Sequence, residues 1–290
     1  MNPNFFKPLF DYFGFGYPGA YMTILFFSFF MTVPIMLVSS KLFGLSLKKM
    51  IFMPLVIVPS ALVVSKIFHI LFEGRLPGSL DGLKVNGISY LFSVMLNPFT
   101  AGHVFYGGLL GGFIAGALFT LAAYPHDEKS FLKTADVASI CVANGLWLTR
   151  IGCFLEGCCF GRPSELFGIR FPQGSKTMFL LYHLDPDHTS LFTDTQPIIP
   201  TQLIHSFSNF IIFAVLLKLA FSKKQKNPGY ISAIFLLSYS ITRFLIEFLR
   251  FDVRGSFLMF STSQWISIFL FIGGFLLWKK TKTVRKNQTK

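Results

Sequence analysis

Charge is scarce in this chain. Only 13% of its 290 residues are Asp, Glu, Lys or Arg, and 13 acidic residues face 26 basic ones. An ordinary soluble domain carries about 25% charged residues. The low charge, with 52% apolar residues and a mean hydropathy of +0.58, excludes a soluble globular reading. Cysteine is scarce too, with four in the whole chain, two of them adjacent, so that a vicinal disulfide is the exception an oxidising outer face would allow. Internal repeats, low-complexity linkers and a separate soluble domain are missing. The first ten residues, MNPNFFKPLF, lack the basic start and cleavage pattern of a signal peptide, so the first apolar run is expected to stay.

Long apolar runs are what the chain has in quantity. Crossing a bilayer takes about 20 mostly apolar residues in a helix. Seven segments qualify, near 19–40, 50–72, 102–124, 137–160, 201–221, 229–249 and 260–278. They predict an all-α, polytopic membrane protein of about seven transmembrane helices, one integral membrane domain over 1–290. Its 38 phenylalanines are expected on lipid-facing surfaces. The longest stretches between spans, 73–101 and 161–200, carry turn residues such as Pro77, Gly78, Asp81 and Gly82.

Basic residues set the orientation. Fifteen Lys and Arg, from Lys41 to the cluster Lys279–Lys290, fall on one side, and eight, among them Arg75, Arg162 and Arg254, on the other. The positive-inside rule then puts the N-terminus outside and the C-terminus in the cytoplasm, with 73–101 and 161–200 at the outer face. The net charge of +13 sits in short loops beside spans, where anionic inner-leaflet lipid attracts it. No basic module with interleaved aromatics stands apart from the membrane, so nucleic acid is excluded as a partner.

Two arginines lie where hydrocarbon forbids them. Arg150 falls in the apolar run Val142–Phe154 and Arg243 in Ile231–Leu249. A charge at the bilayer centre costs upwards of about 2.5 kcal/mol, so such a group faces a protein interior and works there. At about 100° per residue, Arg150, Cys153, Gly157 and Gly161 share one narrow stripe, whose glycines would let another helix or a head group come close. A plainer alternative pairs Arg150 with Glu156 or lets it snorkel outward near the span end. In LSYSITRFLIEFLRFD, Tyr239, Arg243, Glu247 and Arg250 share a face. Arg243 and Glu247 can pair there, leaving Arg250 to meet an anion; the alternative is a purely structural ion-pair network. The guanidinium fork matches phosphate oxygens.

Other polar groups are less specific. The third span, TAGHVFYGGLLGGFIAG, carries His103 and Tyr106 one turn apart, with glycines suited to close packing. His69 and His205 are further titratable candidates, although a lone membrane histidine is more often a packing residue. Cys153, Cys158 and Cys159 crowd into RIGCFLEGCCFG, with Cys141 upstream. Adjacent cysteines suit one tetrahedral ion poorly, so neither a metal nor another cofactor is expected. A buried thiol more often packs as a small apolar group.

RIGCFLEGCCFGRP, VFYGGLLGG, PTQL and RFLIEFLRFD, in this order and spacing, resemble the prolipoprotein diacylglyceryl transferase family of bacterial inner membranes. SKIFHILFE and STSQWISI are similar to that family too, and the likeness runs from about residue 60 to 275. It implies a seven-span enzyme of the cytoplasmic membrane that moves the diacylglyceryl group of phosphatidylglycerol to the lipobox cysteine of prolipoprotein signal peptides, releasing glycerol phosphate. By position, Arg150 and Arg243 would bind the phosphate, Gly157 and Gly161 shape the pocket, and Tyr239 and Glu247 orient Arg243. Cys153 stands where many relatives have asparagine, and Gln202 of PTQL and Arg250 join the binding set. Tyr106 stands where some members have the histidine proposed to activate the thiol, with His103 or His205 as substitute bases. The chain departs from the family at Ile199, Ile204 and His205, at Leu146, and around Tyr21. These departures leave a second reading, a diverged relative that binds anionic phospholipid without transfer. A transporter would show paired inverted halves, and none is evident.

Overall fold

The computed structural model describes residues 4–12, 19–72, 105–127, 129–172, 177, 197–222, 227–251, 256–257 and 259–288. A short helix, α1 (Lys7–Tyr12), precedes seven long ones: α2 (Ala20–Leu42), α3 (Leu47–Phe72), α4 (Phe105–Ala123), α5 (Ser130–Glu156), α6 (Thr201–Phe221), α7 (Tyr230–Glu247) and α8 (Thr262–Gln288). Each expected span is helical. Five of them, α2, α3, α5, α6 and α7, are long and apolar enough to cross a membrane. The apolar run of α4, Gly107–Ala123, is shorter. α8 begins with Thr262, Ser263 and Gln264 and ends in Lys and Arg, which dilutes its apolar middle. The stretch 73–101 lies outside the described residues, as do 173–176 and 178–196 of the second stretch between spans.

Polarity is inverted relative to a soluble protein. Phe30, Phe113, Phe207 and Phe269 are exposed, each above 65%. Gln202, His205, Asn209, Arg243 and Glu247 are buried. Hydrocarbon costs nothing for the first set, while the second must find partners inside. The phenylalanines therefore behave as lipid-facing surface.

By its packing the chain divides into two compact units, residues 43–134 and residues 1–42 with 135–290. In the first of these, α3 and α4 lie against each other. A Cβ at Gly111 would sit 2.7 Å from both the Ser60 carbonyl and Val64 Cβ, so only glycine permits that approach. Lys133 Nζ meets Asp127 Oδ2 at 2.9 Å where α5 begins, and this bond holds the exposed Asp127 carboxyl below its usual range.

In the other unit α5 is tied to three neighbours by hydrogen bonds. Asn144 Nδ2 donates to Thr32 Oγ1 of α2 at 2.9 Å, and Ser206 Oγ of α6 donates to the Trp147 carbonyl at 2.8 Å. Asp136 accepts from Gly229 N, Ser232 N and Ser232 Oγ at 2.7–2.8 Å, capping the exposed amides at the start of α7 with a buried carboxylate. Interhelical bonds of this kind average roughly 0.6 kcal/mol in a membrane. Their larger effect is to fix register.

Candidate active site

α5 ends where its sequence forces it to. Gly157 adopts φ 72°, Gly157 N donates to the Phe154 carbonyl and Cys158 N to the Cys153 carbonyl, the two bonds of a left-handed glycine cap. The expected stripe therefore stops early. Arg150 and Cys153 lie on the helix, Gly157 terminates it, and Gly161 lies in the strand-like segment beyond.

That segment passes between two others. Gly161 bridges antiparallel to Arg250, Gly161 N donates to the Ile199 carbonyl, and Arg162 N donates to the Leu249 carbonyl. A Cβ on Gly161 would lie 2.6 Å from the Leu249 carbonyl and 2.8 Å from the Ile199 carbonyl. No side chain fits there. Below the bridge Phe160, Phe171 and Ile198 form a small apolar core, flanked by Ile169 and Phe251. From the first turn of α6, Gln202 Nε2 donates to the Cys158 carbonyl and Thr201 Oγ1 to the Cys159 carbonyl, each at 2.7 Å. Gln202 is fully buried, and its Oε1 has no hydrogen-bond partner among the described residues.

Arg243 is held from four directions. Its Nη1 meets Glu247 Oε2 at 2.7 Å and His205 Nε2 at 3.2 Å, and its Nη2 donates to Ser263 Oγ at 2.7 Å. Tyr239, one turn back, stacks on Phe235 and bears electrostatically on the same guanidinium. Glu247 Oε1 accepts from Ser261 Oγ at 2.9 Å, and Gln264 Oε1 accepts from Ser261 N, so the start of α8 buttresses the carboxylate. α7 stops at Glu247, and Arg250 reaches the site from the turn beyond it. Its Nε lies 3.9 Å from Glu247 Oε2. One carboxylate thus stands between two buried arginines, which differs from the expectation that Arg243 alone would engage it.

Arg150 completes the group. The charges of Arg150, Arg243 and Arg250 all act on the His205 imidazole, and those of Arg150 and Arg250 on the Arg243 guanidinium. Arg150 is half-buried and makes no ion pair or side-chain hydrogen bond among the described residues. It does not pair with Glu156. That carboxylate turns instead to the first turn of α2, where Oε1 lies 3.5 Å from Tyr21 N. The Tyr21 phenol is near Arg150, Cys153, Cys158 and Cys159.

His205, Ser263 and Tyr21 are the members that sequence reasoning undervalued. His205 follows Gln202 by three residues, which puts both on one face of α6, the signal that could have found it. Tyr106 stands in the first turn of α4, in the other unit, and His103 lies outside the described residues.

In this polytopic helical membrane protein Arg243 and Arg250 both reach Glu247, and the charge of Arg150 acts on Arg243. The chain belongs to the prolipoprotein diacylglyceryl transferase family, whose model matches residues 19–279. It is 33% identical over 231 residues to a phosphatidylglycerol–prolipoprotein diacylglyceryl transferase 2 of Clostridium perfringens, covering 77% of this chain and 82% of that one. It is 32% identical over 213 residues to the phosphatidylglycerol–prolipoprotein diacylglyceryl transferase of Clostridium tetani, covering 72% and 78%. The enzyme of that name from Idiomarina loihiensis is 31% identical over 186 residues, 62% of this chain and 60% of its own.

Proposed function

We propose that Arg150, Arg243 and Arg250 hold the phosphate of phosphatidylglycerol while its diacylglyceryl group passes to the lipobox cysteine thiol of a prolipoprotein. The reaction is a displacement at carbon. The acceptor sulfur forms a C–S bond, the C–O bond to phosphate breaks, the electron pair leaves with glycerol phosphate, and the thiol proton goes to a base. A free thiol has a pKa of about 8.5, so it needs a base or a cationic field. Charge builds on the departing phosphate, and fixed guanidiniums beside it lower the barrier by electrostatic stabilisation.

The observation that carries this reading is the charge count around Arg150. Arg243 and Arg250 reach the Glu247 carboxylate, and Arg150, which makes no ion pair or side-chain hydrogen bond among the described residues, is more exposed than either. Arg243 acts as the fixed wall of the pocket, clamped by Glu247, His205 and Ser263. Gly161 keeps the Arg250 segment against the segment that leaves α5. Tyr106 and His103 are the proposed sources of the base, at the outer face of the bacterial inner membrane, with the N-terminus outside and the C-terminus cytoplasmic.

The test is transfer from phosphatidylglycerol vesicles to a lipobox peptide. Arg150→Lys and Arg243→Ala each abolish labelling while the chain still inserts and accumulates. Normal labelling by either variant removes the phosphate clamp.

A further inference from the structure

Three thiols meet beside the arginines, in a cluster to which the transfer step assigns no chemistry. The Sγ atoms of Cys153, Cys158 and Cys159 all lie within 4.8 Å of one another. Their spacing argues against a shared ion, because neighbours in a regular helix or strand point apart. Two reversals overcome that. Gly157 turns the chain at the end of α5, and Cys159 itself takes φ 64°. A left-handed residue with a Cβ costs roughly 1–2 kcal/mol, and such strain persists only where surroundings hold it. Here Thr201 and Gln202 hold it by donating to the Cys159 and Cys158 carbonyls.

From this geometry we infer that Cys153, Cys158 and Cys159 form a three-thiolate site for one thiophilic cation, with Zn2+ the ion that fits. A Zn–S bond of about 2.3 Å sets tetrahedral sulfurs about 3.8 Å apart, so the cluster needs to contract by about an ångström at most. Three protein ligands leave the fourth position to water or another exogenous group. The charge balance favours the thiolates: three of them with Zn2+ carry one net negative charge, and Arg150 and Arg250 both act on Cys159. Binding deprotonates three thiols and releases three protons. Cys141, on α5 and away from this turn, takes no part. The site does not depend on the transfer reading, since nothing in it requires lipid or acceptor peptide.

The experiment uses the full chain, purified in detergent under reducing conditions, with Zn2+ alone as the probe and no lipid substrate. One equivalent of Zn2+ stays bound through desalting, Co2+ in its place gives a thiolate charge-transfer band, and Cys153→Ser brings retention from one equivalent to none. Cys141→Ser leaves it at one. On the unmodified chain, Zn2+ protects Cys153, Cys158 and Cys159 from alkylation in peptide mapping, and a chelator restores their labelling without moving that of Cys141. This arm holds even if Cys153→Ser fails to fold. Sub-stoichiometric retention, equal protection of Cys141, or a disulfide among the three cysteines in place of bound metal overturns the proposal.

Discussion

Replacing Glu247 with glutamine removes the negative charge shared by Arg243 and Arg250 while keeping the shape of the side chain. Arg243 and Arg250 then lose the carboxylate they share. Breaking a buried pair by neutralising one partner costs about 3–5 kcal/mol, because the remaining charge is left uncompensated. The Ser261 hydroxyl can still bond to the glutamine oxygen, which places the loss near the low end, about 3 kcal/mol. An anion in the pocket would replace the missing charge. A ligand at 100 times its Kd stabilises by about 2.7 kcal/mol, so phosphatidylglycerol can offset most of that loss. Thermal unfolding in detergent, with phosphatidylglycerol or zwitterionic phosphatidylcholine added, reads both effects. Glu247→Gln melts well below the parent in phosphatidylcholine and gains more than the parent does from phosphatidylglycerol. Transfer falls at the same time, because Arg243 has lost its strongest restraint. A variant that melts like the parent, or gains no more from the anionic lipid, refutes the charge argument.

Gln202→Leu leaves the buried Cys158 carbonyl without its donor and lowers stability by about 1–3 kcal/mol, measured by the same melting assay. Asp136→Ala strips three hydrogen bonds from the start of α7 and costs at least the ~1 kcal/mol of an ordinary helix cap, while Ser206→Ala, which loses one interhelical bond, costs about 0.6 kcal/mol. Gly161→Ala cannot be accommodated against the Leu249 and Ile199 carbonyls, so it separates the segment from Arg250 and lowers both stability and transfer. Asp127, whose carboxyl is depressed by Lys133, keeps its ion pair above its unfolded pKa and loses it as pH falls through the lower folded value; NMR of labelled aspartate shows that titration below the ordinary aspartate range.

The spans were legible because the bilayer demands one property, apolar length, that composition reports directly. All seven expected segments are helices, and the two arginines inside them fall in one cluster. Loop geometry was harder to read. A 100° periodicity assumes that a helix continues, and it carried the Arg150 stripe through Gly157, the residue that ends the helix by turning left-handed. The same assumption placed Arg250 on the Glu247 face for the wrong reason: it comes back to Glu247 through a turn, held by the Gly161 bridge. Partners contributed from distant segments, such as Ser261, Ser263 and Tyr21, have no local signal at all. His205 stood out as a titratable candidate and as a departure from the family's pattern, and it meets the central arginine at 3.2 Å.

That departure has a chemical consequence. At His205 this chain puts a group without fixed negative charge against Arg243. Among the described residues Glu247 is the acid that pairs with Arg243 and Arg250, and it already faces two guanidiniums. Adding a second carboxylate, His205→Glu, would neutralise Arg243 more completely and compete with the phosphate for it. Weaker retention of phosphatidylglycerol by His205→Glu, with melting in phosphatidylcholine at or above the parent, is therefore the expected outcome. Tighter lipid retention by that variant would mean that the cluster is not set up as a net cationic seat for phosphate.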